Sequence, residues 1–157
     1  MQEPILEGEI AYGRYSTQSR NQIVVPKGCL QGTTLEGLSA WWTTTTQGES
    51  NVGGVLQFRF GAGGFDMKVL ELQPEKRVLW QVVDGPQEWI GTKISFDLKQ
   101  EGDWTIVLFK HQGWKEPVEF MHHCSTKWGA FLLSLKSLLE TGKGAPWPNE
   151  IKLDSWE

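Results

Sequence analysis

The sequence predicts an α+β fold: an antiparallel β-sheet followed by one long C-terminal helix. Three observations carry this. From Gly53 to His111 apolar and polar residues alternate in short runs, the period of a half-buried strand. Gly-, Pro- and Asp-containing turns separate those runs. From Trp128 to Leu139 the apolar spacing then changes to that of a helix. Strands in succession and a helix afterwards belong to α+β rather than to an alternating α/β chain.

The elements follow in order. Residues 1–33 have few apolar positions and no sustained period; Ile23-Val24-Val25 is a short β-prone run that stops at Pro26. In residues 34–46 a helix end is placed near Leu35–Leu38, followed by a loop that carries Trp41, Trp42 and a run of threonines. Leu56, Phe58 and Phe60 alternate with Gln57 and Arg59. Gly61–Gly64 form a flexible hairpin turn needing positive φ; no Lys-Ser/Thr follows, so it is not a phosphate loop. Met67 and Val69 mark the next strand, Pro74-Glu75-Lys76 a turn, and Val78, Trp80 and Val82 another strand, broken at Asp84-Gly85-Pro86. Ile94, Phe96 and Leu98 alternate before the turn at Glu101-Gly102-Asp103. Residues 104–111 are apolar on both faces, which predicts a central strand. Trp128, Phe131, Leu132, Leu135, Leu138 and Leu139 then line one helix face, with Lys127 and Lys136 on the other. Ser125 or Thr126 would cap this helix and Gly142 would end it, and Pro146 and Pro148 prevent its continuation. The tail 147–157 reads as extended and polar.

The chain has 157 residues, a size for one domain. It can bury roughly two-thirds of its unfolded surface, enough for a core without staples. Hydrophobic residues are 39% and charged residues 22%, which excludes a disordered chain. The net charge of −4 leaves no electrostatic footprint for nucleic acid. No apolar run reaches the length of a membrane span, and the acidic start has no secretory h-region. Two cysteines, Cys29 and Cys124, fall short of a disulfide framework and are expected as reduced cytoplasmic thiols. Nine tryptophans are several times ordinary usage, enough to fill a core or wall a cavity.

Candidate site residues follow from these patterns. Phe58/Phe60, Met67/Val69, Trp80/Val82 and Ile94/Phe96 each lie on one strand face. With Trp128, Phe131 and Leu132 they form either a packed core or a cavity wall. Trp41 and Trp42 form a lid or rim over a cavity mouth, or else one ring packs in the core and the other sits at a surface groove. His122-His123-Cys124, with His111, has poor zinc spacing, because consecutive helical residues point about 100° apart. A Cys–His nucleophile would need a third orienting group. Glu88 beside Trp89, with Asp84 and Glu119, could reach the cavity as a general acid or sit as solvated turn charges.

The stretches GGVLQFRFG (53–61), DMKV (66–69), RVLW (77–80), DGPQEWIGT (84–92) and GWKEPVEFMHHCSTKWGAFLLSLKSLLETGKG (113–144) carry a resemblance. Over residues 34–157 the chain resembles the SRPBCC, or START-like, superfamily, in the bacterial branch grouped with the C-terminal domain of the heat-shock-protein ATPase activator. The resemblance implies a helix-grip fold: a curved antiparallel sheet wrapped around the long C-terminal helix, with an apolar cavity between. It divides the chain into an atypical segment (1–33), a helix-grip domain (34–145) and a tail (146–157). Residues 1–33 do not match the family's opening strand and helices, whereas EGLSAWW (36–42) does. A shifted frame, a misassigned start or a divergent N-terminus would explain this, with Ile23–Val25 partly replacing the missing strand.

Superfamily members carry lipids, hormones or polyketides, and a minority are cyclases or hydrolases, so fold does not settle function. The reading expected first is a binding module for a small hydrophobic or amphipathic ligand held by Trp41, Trp42, Phe58, Phe60, Met67, Trp80, Trp89, Phe96, His111, Trp128, Phe131 and Leu132. A chaperone-ATPase-interacting module ranks second and a cyclase-like or hydrolytic enzyme third. No cofactor, metal, nucleic acid or membrane span is implied, and the oligomeric state is left open.

Overall fold

The computed structural model describes residues 22–26 and 31–153. Seven strands form one antiparallel sheet: β1 (Gln22–Pro26), β2 (Thr45–Gly48), β3 (Val55–Phe60), β4 (Gly63–Gln73), β5 (Arg77–Asp84), β6 (Lys93–Glu101) and β7 (Trp104–Gln112). Their order is β1-β7-β6-β5-β4-β3-β2. A short helix, α1 (Leu35–Trp41), precedes β2, and a long one, α2 (Glu119–Thr141), follows β7. The sheet packs one face against both helices, which is the helix-grip α+β fold.

The four alternating runs became β3 to β6, and the run 104–111, apolar on both faces, became β7. The two strands with weak or absent alternation are the two edges. Ile23 and Val25 do point inward from β1, which pairs with β7 through Ile23↔Val107 and Val25↔Thr105. Strand β2 lies where a loop was expected. Its Thr45-Thr46-Gln47-Gly48 has no apolar alternation, and pairing with β3 (Thr45↔Arg59 to Gly48↔Leu56) supplies what its side chains do not. Exposed, short and polar, it is a well-blunted edge.

Strand β7 is second from the edge, not central. Thr105, Val107, Phe109 and His111 face inward and are buried, while Trp104 is 51% exposed. Its outward apolar residues, Ile106 and Leu108, are half-buried.

Helix α1 runs further than expected. Thr34 caps it, accepting from the Gly37 N–H at 3.0 Å, and the helix continues to Trp41, with Trp42 as its C-cap residue. Leu38 and Trp41 lie one turn apart and are both buried, so packing of an i, i+3 pair extends the helix through the first tryptophan.

Helix α2 begins six residues before Ser125, so neither Ser125 nor Thr126 caps it. Val118 is the N-cap residue without a side-chain bond, and Glu119 in the first turn complements the helix dipole. Gly142 closes the helix at φ 80°, the left-handed value glycine adopts without penalty. One stripe of α2, Met121, Cys124, Trp128, Phe131, Leu132 and Leu135, is buried against the sheet.

The segment after α2 is not simply extended and polar. The Trp147 N–H donates to the Trp42 carbonyl at 2.8 Å, and its carbonyl accepts from Thr44 at 3.2 Å. Glu150, 5% exposed, pairs with Lys127 at 3.2 Å and Lys152 at 2.9 Å.

Candidate functional site

The β3–β4 hairpin and the loop between β5 and β6 rise at one end of the sheet, facing the first half of α2. Phe60 ends β3, and a two-residue turn through Gly61 (φ 68°) leads into β4. At Gly64 a Cβ would stand 2.1 Å from the Phe58 carbonyl, so the tight hairpin needs glycine there. These elements and α2 enclose a cleft of about 280 Å³. That is near the small end of the range for ligand sites, ~300–1,000 Å³.

Aromatic rings form most of its wall. Phe65 and Trp89 stack with centroids 4.0 Å apart and planes 9° apart. Trp42 and Phe65 differ by 15°, and Trp89 and Trp128 by 19°. Phe60, Phe120 and Phe131 complete the apolar lining, with Pro86 at the loop. Among the described residues no carboxylate lines the cleft, whereas Lys127 and His123 do. The Lys127 ammonium stands 5.7 Å from the Phe131 ring centre and beside Glu150.

The twelve residues singled out in the sequence separate into groups. Trp42, Phe60, Trp89, Trp128 and Phe131 line the cleft. Trp42 is no lid; its ring is 2% exposed and packs 4.2 Å from Phe58 and 4.7 Å from Trp128, centre to centre. Trp41 and Phe96 face a second hollow of about 180 Å³ near the other end of α2. There the Trp41 indole N–H donates to the Gly32 carbonyl at 2.7 Å. Phe58, Met67, Trp80 and Leu132 are packed core away from either hollow.

His111 lies behind the wall, fully buried. Its Nδ1 accepts from the Trp128 indole at 3.2 Å, and Nε2 is 2.8 Å from Thr92 Oγ1. Burial pushes its pKa down to about 3, so it is neutral. His122 and His123 are exposed on α2 while Cys124 is buried, and no cluster of three metal-ligating groups forms among the described residues. Cys124 lines the cleft and accepts from the Trp89 indole at 3.3 Å. Burial pushes its thiol up to about 12. Glu88, Asp84 and Glu119 are all exposed, and none lines the cleft. Cys29 lies outside the described residues.

Sequence reading missed Phe65, Phe120 and the inward turn of Lys127. Phe65 belongs to the period-2 face of Met67 and Val69, but the glycines before it read as a turn. Phe120 stands four residues before Cys124 and eight before Trp128, on a helical stripe whose start was placed too late.

Comparison with known proteins agrees with this architecture. The family profile "Activator of Hsp90 ATPase homolog 1-like protein" matches residues 33–140. The Aha1 dimer from Colwellia psychrerythraea, solved in solution, is 45% identical, with a TM-score of 0.70 over 78% of this chain and 96% of that one. A conserved protein of unknown function from Enterococcus faecalis is 20% identical, with a TM-score of 0.64 over 83% of this chain and 74% of its own. CalU16 from Micromonospora echinospora is 16% identical, with a TM-score of 0.60 over 74% and 70%. These last two share the fold alone. No curated protein gives a match. The matched span and the helix-grip architecture together make this chain a member of the activator of Hsp90 ATPase homolog 1-like family, within the SRPBCC, or START-like, superfamily.

Proposed function

We propose that this protein binds a small apolar or amphipathic molecule in the cleft between the β3–β4 hairpin and α2, and that it acts by binding rather than by catalysis. The supporting observation is a concave, aromatic-lined space bordered by few polar groups, the usual make-up of a small-molecule site. The chemistry of its walls favours holding over reacting. A thiol raised to about 12 is a poor nucleophile at neutral pH. His111 has both ring nitrogens engaged and stands behind Trp89 and Trp128, so it positions those rings. The unit that binds is taken as residues 34–145, acting in the cytoplasm; no helix among the described residues is long and apolar enough to cross a membrane.

Native mass spectrometry of the purified protein, with matched denaturing spectra, tests this reading. A stoichiometric small molecule, or ligand-dependent quenching of tryptophan fluorescence, is expected. A bare, folded chain whose fluorescence no apolar probe alters would overturn it. A second reading rests on the family match and on the 45% identical Aha1 protein: contact with a chaperone ATPase of the Hsp90 class. Co-purification with that ATPase, and a change in its turnover on adding this chain, is the expected signature.

A further inference from the structure

We propose that Trp42 sets the length of molecule that the cleft accepts, because the Trp41–Trp42 pair divides a single trough between the sheet and α2 into two separate hollows. This rests on the binding role of the cleft and narrows its ligand to one with a short apolar body.

The two hollows follow one another along the same buried stripe of α2. Cys124, Trp128 and Phe131 border the cleft, Leu135 borders the second hollow, and Leu132, between them in sequence, borders neither. On the sheet, Phe60 and Phe65 face the cleft, while Val78, Phe96 and Val107 face the second hollow. Trp80 again borders neither; its ring centre lies 6.5 Å from that of Trp42 and 5.3 Å from that of Phe96.

The wall across this trough comes from α1. Trp42 borders the cleft and Trp41 the second hollow, with ring centres 6.0 Å apart. Trp41 is fully buried and Trp42 is 2% exposed, so the wall is closed to water. Three bonds hold it in place. Thr34 caps α1 at 3.0 Å, the Trp41 indole donates to the Gly32 carbonyl at 2.7 Å, and the Trp42 carbonyl accepts from the Trp147 N–H at 2.8 Å. The indole of Trp42 is therefore a fixed end-stop rather than a movable gate.

The space in front of that stop sets the length. An apolar cavity of about 150 Å³ holds the six carbons of benzene, so the cleft of about 280 Å³ holds roughly eleven. A polar head stays at the mouth, because the apolar wall gives it little to replace water. Carbons beyond that number stay in solvent and add no affinity.

Calorimetric titration with straight-chain alkanoates, from octanoate to hexadecanoate, tests the proposal. In wild-type protein each added methylene should tighten binding about fourfold up to about dodecanoate, and hardly at all beyond it. Trp42→Phe should move this break to chains about two carbons longer, and Trp42→Leu by about four, since the neighbours only partly close over the freed space. A role confined to core packing would weaken every length alike and leave the break in place, and that result would overturn the proposal. So would a wild-type series that keeps gaining severalfold per methylene to hexadecanoate, which needs no variant to fold. Failure of every alkanoate to bind would remove the cleft reading itself, a different failure from a break that does not move.

Discussion

Trp128 Nε1 donates a hydrogen bond to His111 Nδ1 at 3.2 Å, and this contact fixes the histidine tautomer. An indole nitrogen only donates. Nδ1 must therefore carry the lone pair and Nε2 the proton, which points to Thr92 Oγ1 at 2.8 Å. The threonine hydroxyl in turn donates to the Trp89 carbonyl at 2.5 Å. One chain of bonds thus joins α2, β7 and the β5–β6 loop behind the cleft. It holds Trp128 and Trp89, two of the rings that form the wall.

That arrangement sets a pH dependence. Burial lowers the His111 pKa from 6.5 to about 3, so between those values the unfolded state binds a proton that the native state does not. Stability is then fully present above pH 6.5 and is lost as pH falls below it. The loss is about 1.4 kcal/mol per pH unit, or ~2 kcal/mol by pH 5. Urea unfolding at pH 7, 6 and 5 should show this slope, and His111→Gln, though less stable at pH 7, should show a shallower one. An unchanged slope in His111→Gln would place the acid sensitivity elsewhere.

Cys124 should be nearly inert in the native state. Its thiol is raised from 9.0 to about 12, chiefly by burial, which the Trp89 N–H only partly offsets. At pH 8 its thiolate fraction falls about a thousandfold below that of an ordinary thiol, and alkylation follows the thiolate. In a Cys29→Ser background, iodoacetamide should label Cys124 rapidly in denaturant and very slowly without it. A saturating aryl ligand in the cleft should slow native labelling further, because Cys124 lines that space. Rapid native labelling would show a far more open wall.

Strands β3 to β6 were legible because their buried residues recur at every second position, as in Val78, Trp80 and Val82, all buried. The edge β2 was not, because Thr45 to Gly48 bury nothing and are ordered by backbone pairing with β3. The start of α2 was placed too late for a related reason: Val118 caps it without a side-chain bond, so no capping residue announced it. Half-truths arose at the site. Phe58 and Phe60 share a strand face and look equivalent in sequence, and only the position of α2 makes one core and the other wall. Lys127 reads as a solvated helix charge because its partner, Glu150, lies beyond the turn that ends the helix.

The return of the chain after α2 depends on Gly144. A Cβ there would stand 2.3 Å from the Ala40 carbonyl and 3.1 Å from Ser134 Oγ, which accepts from the Ala145 N–H at 2.7 Å. A backbone oxygen in α1 cannot swing aside as a side chain would. Gly144→Ala should destabilise the fold by about 1–3 kcal/mol. It should also loosen the docking of Trp147 on Trp42, seen as faster amide exchange at the Trp147 N–H. Ser134→Ala leaves the Ala145 N–H without its acceptor and should cost about 1 kcal/mol without the steric effect. If Gly144→Ala were neutral, the close approach of this segment to α1 would be wrong.

Phe58 and Phe60 give the sharpest separation of core from site. Phe58 is fully buried, with its ring centre 4.2 Å from that of Trp42 and 5.8 Å from that of Trp80, and it does not line the cleft. Its truncation to alanine leaves a cavity among rings that cannot collapse onto it, at a cost of about 3–5 kcal/mol. Phe60 is only half-buried and borders the cleft, next to Phe65 and Phe131 at 5.5 and 6.2 Å. Phe60→Ala should cost less stability, about 1–2 kcal/mol, because part of its surface is already wet. In ligand binding the order should reverse. Phe60→Ala removes a wall and should weaken an aryl probe by about tenfold, roughly the 1.4 kcal/mol of one lost aromatic contact. Phe58→Ala, measured well below its own unfolding transition, should bind within a factor of about three of wild type. Urea melts and calorimetric titrations on both variants make the comparison. Equal binding losses in the two would mean that the ligand lies deeper, among the core rings, rather than in the cleft at the hairpin.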